Sequence, residues 1–450
     1  MNNIDCYILA AGMGARMNSN LPKVLHKICG TEMINMVVKA ARKSGIVNLT
    51  IVVPKQHEQH KKAIGDAVKY RIQSPNKGTG HALLKAKPET VDCGVIVVLN
   101  GDIPLISEQT ITRIIEQHKN SGNILTIATS NIDTPRGYGR ILRNKSGEIK
   151  EIVEHLQTEN SDVDLITEIN AGVYCFNSPW IWNSLEMLEP SSNGEYFLTD
   201  IVNMAHEEKK SVGAIDINNE EIKGVNNRIQ LSEVEQIVQN RIRNLVMLNG
   251  VTLTDPNSTY IDVNVIIDPD TTILPNTHIT VNTRIGKNCR LGPNSIIRES
   301  IIGENCEINS TVVDKSLIHN NVSIGPFSHI RQGCVIEDGV KIGNYTEIKN
   351  SRIGKHTKSG HFCYLGDADV GSDVNIGAGT ITCNYDGNSK HGTKIGSGAF
   401  IGSNTMLVAP IEIGERTITG AGSVVTKNVP SDSKAIGMPA RINTGGRRKP

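Results

Sequence analysis

A period of six constrains this chain more than any other feature. Ile267, Ile273, Ile279, Ile285, Leu291 and Ile297 keep one spacing, Ile324, Ile330, Ile336, Ile342 and Ile348 resume it, and Ile395, Ile401, Leu407, Ile413, Thr419 and Val425 close the series. A helix repeats near 3.6 residues and a strand at two, so neither holds an aliphatic residue in this phase. Short strands stacked on one another, with a turn after each hexapeptide, do. Glycine follows the aliphatic position at Gly286, Gly292, Gly325, Gly343, Gly377 and Gly402, which assigns these glycines to the turns. The phase breaks near Ile302, Ile353 and residues 384–394, and interruptions of a solenoid are where function projects.

The first half has another grammar. Cys6–Ala10, Asn48–Val53 and Val95–Leu99 read as buried strands, while Glu32–Lys43 and Thr110–Lys119 carry helical spacing. Such alternation predicts an α/β domain with a mostly parallel sheet, whose ligands sit at the carboxyl ends of the strands. Between the halves, Leu231, Val234, Ile237, Val238, Ile242 and Leu245 share one face of a stretch closed by Asn249-Gly250, which predicts a linker helix. The expected division is therefore 1–227, a helix over 228–250, and a repeat domain with its tail over 251–450.

Forty-seven basic against 46 acidic residues leave a net charge of +1, with no basic block beyond Arg447-Arg448-Lys449. This argues against nucleic acid or an anionic membrane as partner; an anionic substrate must be met by local cations. No leader-like or bilayer-length apolar run is present, so a cytoplasmic protein is expected. The nine cysteines include no CxxC pair and read as reduced core or site-lining thiols.

Two stretches carry chemistry. Leu9-Ala10-Ala11-Gly12-Met13-Gly14-Ala15-Arg16-Met17 follows the first strand, and Leu21-Pro22-Lys23-Val24-Leu25 comes soon after. A glycine-rich turn lets backbone N–H groups approach phosphates, and Arg16 and Lys23 supply charge against a triphosphate. A dinucleotide fingerprint would need a third glycine, and an acid where the second strand ends in Val53-Pro54-Lys55. The second stretch is His361-Phe362-Cys363-Tyr364-Leu365-Gly366-Asp367, with Asn375 to Thr380 and Cys383-Asn384-Tyr385 beyond it.

The first of these strings resembles the sugar-nucleotidyltransferase signature. Further matches follow in order: Gln73 with Gly78-Thr79-Gly80-His81, Asn100-Gly101-Asp102, Gly137-Tyr138-Gly139-Arg140, Ile152-Val153-Glu154-His155, Glu168 to Gly172, Gly194 to Asp200 and Gly224 to Arg228. With the hexapeptides, the whole set resembles the bacterial family of bifunctional N-acetylglucosamine-1-phosphate uridylyltransferase/glucosamine-1-phosphate acetyltransferases.

The resemblance implies a Rossmann-like α/β nucleotidyltransferase domain, a linker helix and a left-handed parallel β-helix with three hexapeptides per coil. It implies acetyl transfer from acetyl-CoA to glucosamine 1-phosphate, then uridylyl transfer from UTP to N-acetylglucosamine 1-phosphate with release of pyrophosphate. UTP and the sugar nucleotide would meet Leu9, Ala10, Ala11, Gly12, Lys23, Gln73, Gly78, Thr79, Asn100, Gly101, Asp102, Gly139, Glu154, Asn170 and Asn226. Asp102 and Asn226 would hold one or two Mg2+ ions, with Arg16 and Lys23 acting on the transferring phosphate.

In the repeat domain, His361 is the expected general base, because a neutral imidazole suits removal of the amine proton. Arg331, Lys349, Tyr364 and Asn375 would bind glucosamine 1-phosphate. Ala378, Asn384, Tyr385, Ser403, Ala421 and Arg441 would bind acetyl-CoA. Three positions depart from the pattern: Ala15 stands where Thr is usual, Asn100 where an aromatic or small residue is common, and Met438 where Arg is frequent. Arg441 or Arg447-Arg448-Lys449 would then meet the coenzyme. A homotrimer is implied, since coil edges and faces need covering. The rival reading is another sugar-1-phosphate nucleotidyltransferase with a regulatory or trimerising, non-catalytic β-helix.

Overall fold

The computed structural model describes residues 4–91, 94–154 and 162–444; His155, Cys93 and Arg447-Arg448-Lys449 lie outside the described residues. The chain forms two compact units, Met1–Val238 and Gln239–Pro450.

The first unit is built on one twisted sheet. Its main path runs Val212–Asp216, Leu125–Asn131, Glu168–Asn177, Val95–Asn100, Ile4–Leu9, Asn48–Pro54 and Lys69–Gln73. Ile4–Leu9 pairs in parallel with both Val95–Asn100 and Asn48–Pro54, so Leu9 and Asn100 end side by side. Ile8, Ile51, Val97 and Val98 are fully buried, as a sheet covered on both faces requires. Each such side chain contributes about 1.5–3 kcal/mol on leaving water.

Helix Met33–Lys43 packs Ile34, Val37 and Ala41 inward. Helix Glu108–Ser121 starts where the Ser107 hydroxyl accepts from the Thr110 N–H at 3.1 Å, and stops at Gly122 with φ 66°. The sheet is mixed rather than uniformly parallel. Glu168–Asn177 runs antiparallel to both its neighbours because the chain reaches it through the hairpin Arg140–Arg143/Ile149–Val153, not through a helical crossover.

The second unit is the expected parallel β-helix. Its strands fall into three sheets of twelve, ten and nine strands, called here sheets one, two and three, and each strand pairs in parallel with its counterpart one coil away, except the last strand of sheet one, Ala440–Asn443, which runs antiparallel to Lys434–Gly437. On sheet two, Ile261, Ile279, Ile297, Val313, Ile330 and Ile348 stack in register, all nearly inaccessible. The phase break near Ile302 is a shortened coil, absorbed without loss of the stack.

Two positions of the hexapeptide behave differently from the sequence expectation. The turns are made mainly by Asn and Asp three residues after the aliphatic position. Asn264, Asp270, Asn276, Asn282, Asn288 and Asn294 all have φ between 54° and 68°, a region those short polar side chains tolerate. The glycine after the aliphatic residue serves close stacking instead: a Cβ on Gly377 would lie 2.5 Å from the Ser403 nitrogen of the next coil.

Two residues before each aliphatic position lies a small inward slot. Thr271 there donates to the Gly286 carbonyl at 2.8 Å and accepts from the Cys289 N–H at 3.0 Å. Cys289, Cys306, Cys334 and Cys363 occupy the same slot in other coils, and all eight described cysteines are free thiols. The linking segment forms helix Arg228–Leu248, and Gly250 follows it with φ 91°.

Candidate active sites

In the first unit the glycine-rich turn leaves the end of Ile4–Leu9. Gly101 N–H donates to the Leu9 carbonyl at 2.9 Å and Ala10 N–H to that of Val52 at 2.8 Å, fixing the turn over the ends of three strands. Ala11 follows, 6% exposed, and Gly12 has open space where a Cβ would stand, so backbone can be approached there. Gly14 adopts φ 71°, and a Cβ there would lie 2.6 Å from that of Lys23, so the turn and the Lys23 segment close on each other.

Lys23 forms an ion pair with Asp102 and donates to Asn226 Oδ1 at 3.0 Å, and Arg16 Nη2 donates to the same oxygen at 3.1 Å. Val225 N–H donates to the Asp102 carbonyl at 2.9 Å, and Asn226 N–H to Gln230 Oε1 at 2.8 Å. Two hard oxygens from distant segments, Asp102 and Asn226, thus converge on one cation, the Lys23 ammonium. That donor set fits a divalent ion held by two protein oxygens with water or phosphate completing the shell. Among the described residues no group of three or more His, Cys, Asp or Glu forms a cage.

Two flanks extend from this centre. Buried Gln73 donates from Nε2 to the Gly78 carbonyl at 2.9 Å and lies 3.1 Å from His81 Nδ1. Gly78 has φ 95° and a Cβ there would lie 2.6 Å from the Tyr196 carbonyl oxygen, while Thr79 Oγ1 accepts from Leu198 N–H at 3.0 Å. On the other flank Asn170 N–H donates to the Gly139 carbonyl at 2.9 Å, its Nδ2 to Tyr174 Oη at 2.7 Å, and its Oδ1 accepts from Gly172 N–H at 3.0 Å. Asn100 Nδ2 donates to the Gly172 carbonyl at 3.3 Å, so this departure from the pattern ties the two central strands together. Glu154 accepts from Thr199 Oγ1 at 2.8 Å, and burial pushes its carboxyl above the usual range.

In the second unit His361 ends strand Lys358–His361 of sheet one, in register with Asn344 one coil earlier. Its Nδ1 stands 3.2 Å from Asn344 Oδ1. An amide oxygen accepts, so Nδ1 carries the hydrogen and Nε2 is left with its lone pair. On sheet two, Arg331 donates to Glu347 Oε1 at 2.8 Å, and Glu347 stands in register with Tyr364. Lys349 lies beside Lys390, whose ammonium holds it below the usual lysine range. Asp367 accepts from Asn350 Nδ2 at 2.7 Å and from Asn384 Nδ2 at 2.6 Å.

The remaining sequence-predicted residues lie on neighbouring coils and loops, and Tyr385 forms a backbone bridge with Lys390. Asn375 is on sheet one, in register with Lys358 and Phe400. Tyr385 is exposed and donates to the Gly387 carbonyl at 2.6 Å, in a loop tied by Asp386 and His391 at 2.7 Å. Backbone bonds link Ala378 to Asn404 at 2.6 Å and Ser403 to Gly422 at 2.7 Å. The Ala421 nitrogen faces Gly402, and a Cβ on Gly402 would come within 2.7 Å of it. Arg441 lies on the antiparallel hairpin Lys434–Gly437/Ala440–Asn443, opposite Ile436.

Sequence reasoning passed over Asn344, Glu347, Lys390 and Thr199. The first two lie one coil from His361 and Tyr364, a separation visible only once coil length is known. Lys390 lies inside the interruption that the sequence flagged. Thr199 lies within the matched Gly194–Asp200 stretch but carries no signal of its own.

A nucleotidyltransferase unit followed by a hexapeptide-repeat unit defines a two-headed transferase. The comparisons agree: the nucleotidyl transferase family matches residues 6–221, the EIF2B subunit epsilon LbH domain 245–348, and the bacterial transferase hexapeptide repeats 392–427. Bifunctional protein GlmU of Clostridium novyi (strain NT) is 45% identical over 443 residues, 98% of this chain and 97% of that protein. That of Streptococcus mutans serotype c is 42% identical over 446 residues, covering 98% and 97%, and that of Clostridium botulinum (strain ATCC 19397 / Type A) 43% over 442, covering 98% and 96%.

The chain belongs to the GlmU family. It is a bifunctional enzyme of UDP-N-acetylglucosamine synthesis, an acetyltransferase acting on glucosamine 1-phosphate and a uridylyltransferase acting on its product.

Proposed function

We propose that residues 1–227 carry uridylyl transfer, that 228–250 link, and that 251–450 carry acetyl transfer, in a cytoplasmic homotrimer. In the described residues no helix is long and apolar enough to cross a membrane.

In the first unit a phosphate oxygen of N-acetylglucosamine 1-phosphate attacks the α-phosphorus of UTP, and the bond to pyrophosphate breaks. Lys23 and Arg16, already directed at Asp102 and Asn226, turn to the transferring phosphate and the leaving group. Mg2+ on Asp102 and Asn226 would neutralise triphosphate charge when bound. Gln73, Gly78 and Thr79 define the base-reading flank with the Leu9–Gly12 turn, and Gly139, Glu154 and Asn170 the sugar flank.

In the second unit the glucosamine amine attacks the thioester carbonyl of acetyl-CoA, His361 Nε2 takes the amine proton, and coenzyme A leaves as thiolate. Arg331 and Lys349 hold the 1-phosphate, with Tyr364 and Asn375 on the sugar. Asn384, Tyr385, Ala378, Ser403, Ala421 and Arg441 are assigned to the coenzyme.

The observation that carries the reading of the second unit as catalytic is the His361 Nδ1 contact to Asn344, which leaves the opposite nitrogen as an available base. The test is a substrate panel on the intact protein, following pyrophosphate and free coenzyme A together. His361→Ala should lower coenzyme A release by at least about two orders of magnitude and leave pyrophosphate release from UTP intact. Survival of coenzyme A release in that variant would remove His361 as base and restore the non-catalytic alternative.

A further inference from the structure

Asn226 brings its side-chain oxygen to the cation centre of the first unit from a short segment whose backbone is held on both sides. Before it, Val225 is fully buried and its N–H donates to the Asp102 carbonyl at 2.9 Å, so main chain ties the two oxygen-bearing residues together. After it, Asn227 starts helix Arg228–Leu248: its Oδ1 accepts from the Gln230 N–H at 2.9 Å and its carbonyl from the Leu231 N–H at 3.0 Å. Arg228 Nε donates to the Met17 carbonyl at 3.3 Å and Nη1 to His26 Nδ1 at 3.3 Å, bracing the segments that carry Arg16 and Lys23.

The Asn226 peptide itself is gripped by a side chain: its N–H donates to Gln230 Oε1 at 2.8 Å. In the reciprocal cap common at a helix start, a Glu or Gln at the third position returns to the N–H of the capping residue. Here Asn227 caps the helix with its own side chain, and Gln230 reaches one residue further back, to Asn226. The Gln230 oxygen therefore serves the residue whose Oδ1 accepts from Lys23 at 3.0 Å and from Arg16 at 3.1 Å. That Oδ1 is joined to the Asn226 backbone by a short side chain, so any freedom in the peptide passes to the oxygen.

We infer that Gln230 is a positioning residue for uridylyl transfer, its side-chain oxygen holding the Asn226 peptide so that Asn226 Oδ1 stays with Asp102 at the cation centre. This rests on the assignment of Mg2+ to Asp102 and Asn226. Gln230 acts through Asn226 and not on the reacting atoms, so its loss weakens metal binding in the first unit and leaves acetyl transfer in the second as it was.

The experiment uses the full chain and two readouts: Mn2+ binding to the enzyme with UTP and no acceptor sugar, followed by electron paramagnetic resonance, and the Mg2+ concentration for half-maximal pyrophosphate release. Gln230→Met keeps helix propensity and the Asn227 cap but removes the acceptor, whereas Gln230→Glu keeps the acceptor. Gln230→Met should weaken Mn2+ binding and raise the half-saturating Mg2+ by roughly three- to tenfold, the size of one lost hydrogen bond, with coenzyme A release as in wild type. Gln230→Glu should restore both readouts. In an Asn226→Ala background Gln230→Met should change neither, because it acts only through that residue. Wild-type metal binding in Gln230→Met, even with lowered thermal stability, or an equal further loss in the double variant, would overturn the inference while leaving the metal assignment in place. Wild-type Mn2+ binding in Asn226→Ala would instead overturn the metal assignment and this inference with it.

Discussion

Replacing Asn344 by Ala removes one hydrogen bond and nothing else from the acetyl-transfer machinery. The bond is neutral, exposed and long, at 3.2 Å between His361 Nδ1 and Asn344 Oδ1. Such a bond contributes about 0.5–1.5 kcal/mol, and 1 kcal/mol corresponds to about fivefold in rate. Loss of the imidazole itself costs about 10²- to 10⁴-fold, so the two substitutions are separable by size. Asn344→Ala should lower kcat for coenzyme A release about fivefold, leave KM for both substrates unchanged, and leave pyrophosphate release untouched. Asn344→Asp keeps the acceptor and adds a negative charge that favours the imidazolium, so the acid limb of its pH–rate profile should move to higher pH. In a His361→Ala background Asn344→Ala should have no further effect, because it acts only through the ring. Full kcat in the single variant, or an equal further loss in the double variant, would refute the tautomer argument.

Three other perturbations read other parts of the molecule. Asp102→Asn should reduce pyrophosphate release at least about a hundredfold, partly recoverable at high Mg2+, and leave coenzyme A release as in wild type. Gly343→Ala should abolish coenzyme A release, since its Cβ would collide with the Gly360 carbonyl next to His361; retained activity would show that the coils can separate. Burial lowers His118 from 6.5 to about 4, so the folded state keeps the ring neutral while the unfolded chain takes up a proton below 6.5. Its stabilising contribution is thus full above pH 6.5 and is lost as pH falls toward 4, by about 3 kcal/mol in all, which denaturant unfolding of wild type and His118→Gln at both ends would measure.

The architecture was legible where the sequence repeats or alternates. The six-residue phase located Ile279, Ile297, Ile330 and Ile348 of the stack, and the apolar face of Arg228–Leu248 located that helix. What escaped was set by topology. Nothing local marks Glu168–Asn177 as antiparallel, since its direction depends on the hairpin before it. The roles within the hexapeptide were also exchanged: glycine gives clearance between coils, while Asn and Asp take the left-handed turns.

The same limit applies to the sites. Lys23, Asp102 and Asn226 could be proposed from motifs, but their convergence on one point joins segments far apart in the chain. His361 could be singled out by its place near an interruption. Its orienting partner could not, because Asn344 becomes a neighbour only when one coil closes.

Because each coil touches only the coils above and below it, the second unit can be treated as a column whose length is a free variable. The rungs bearing Arg331, Lys349 and His361 need the rungs next to them, but not any particular number of rungs before Ile297. Change by whole coils preserves every pairing on all three faces. Loss of a single residue instead turns each later side chain away from its column unless a corner absorbs it, as the shortened coil near Ile302 does. Such a protein therefore gains or sheds height in integral steps, and its chemistry is addressed by rung.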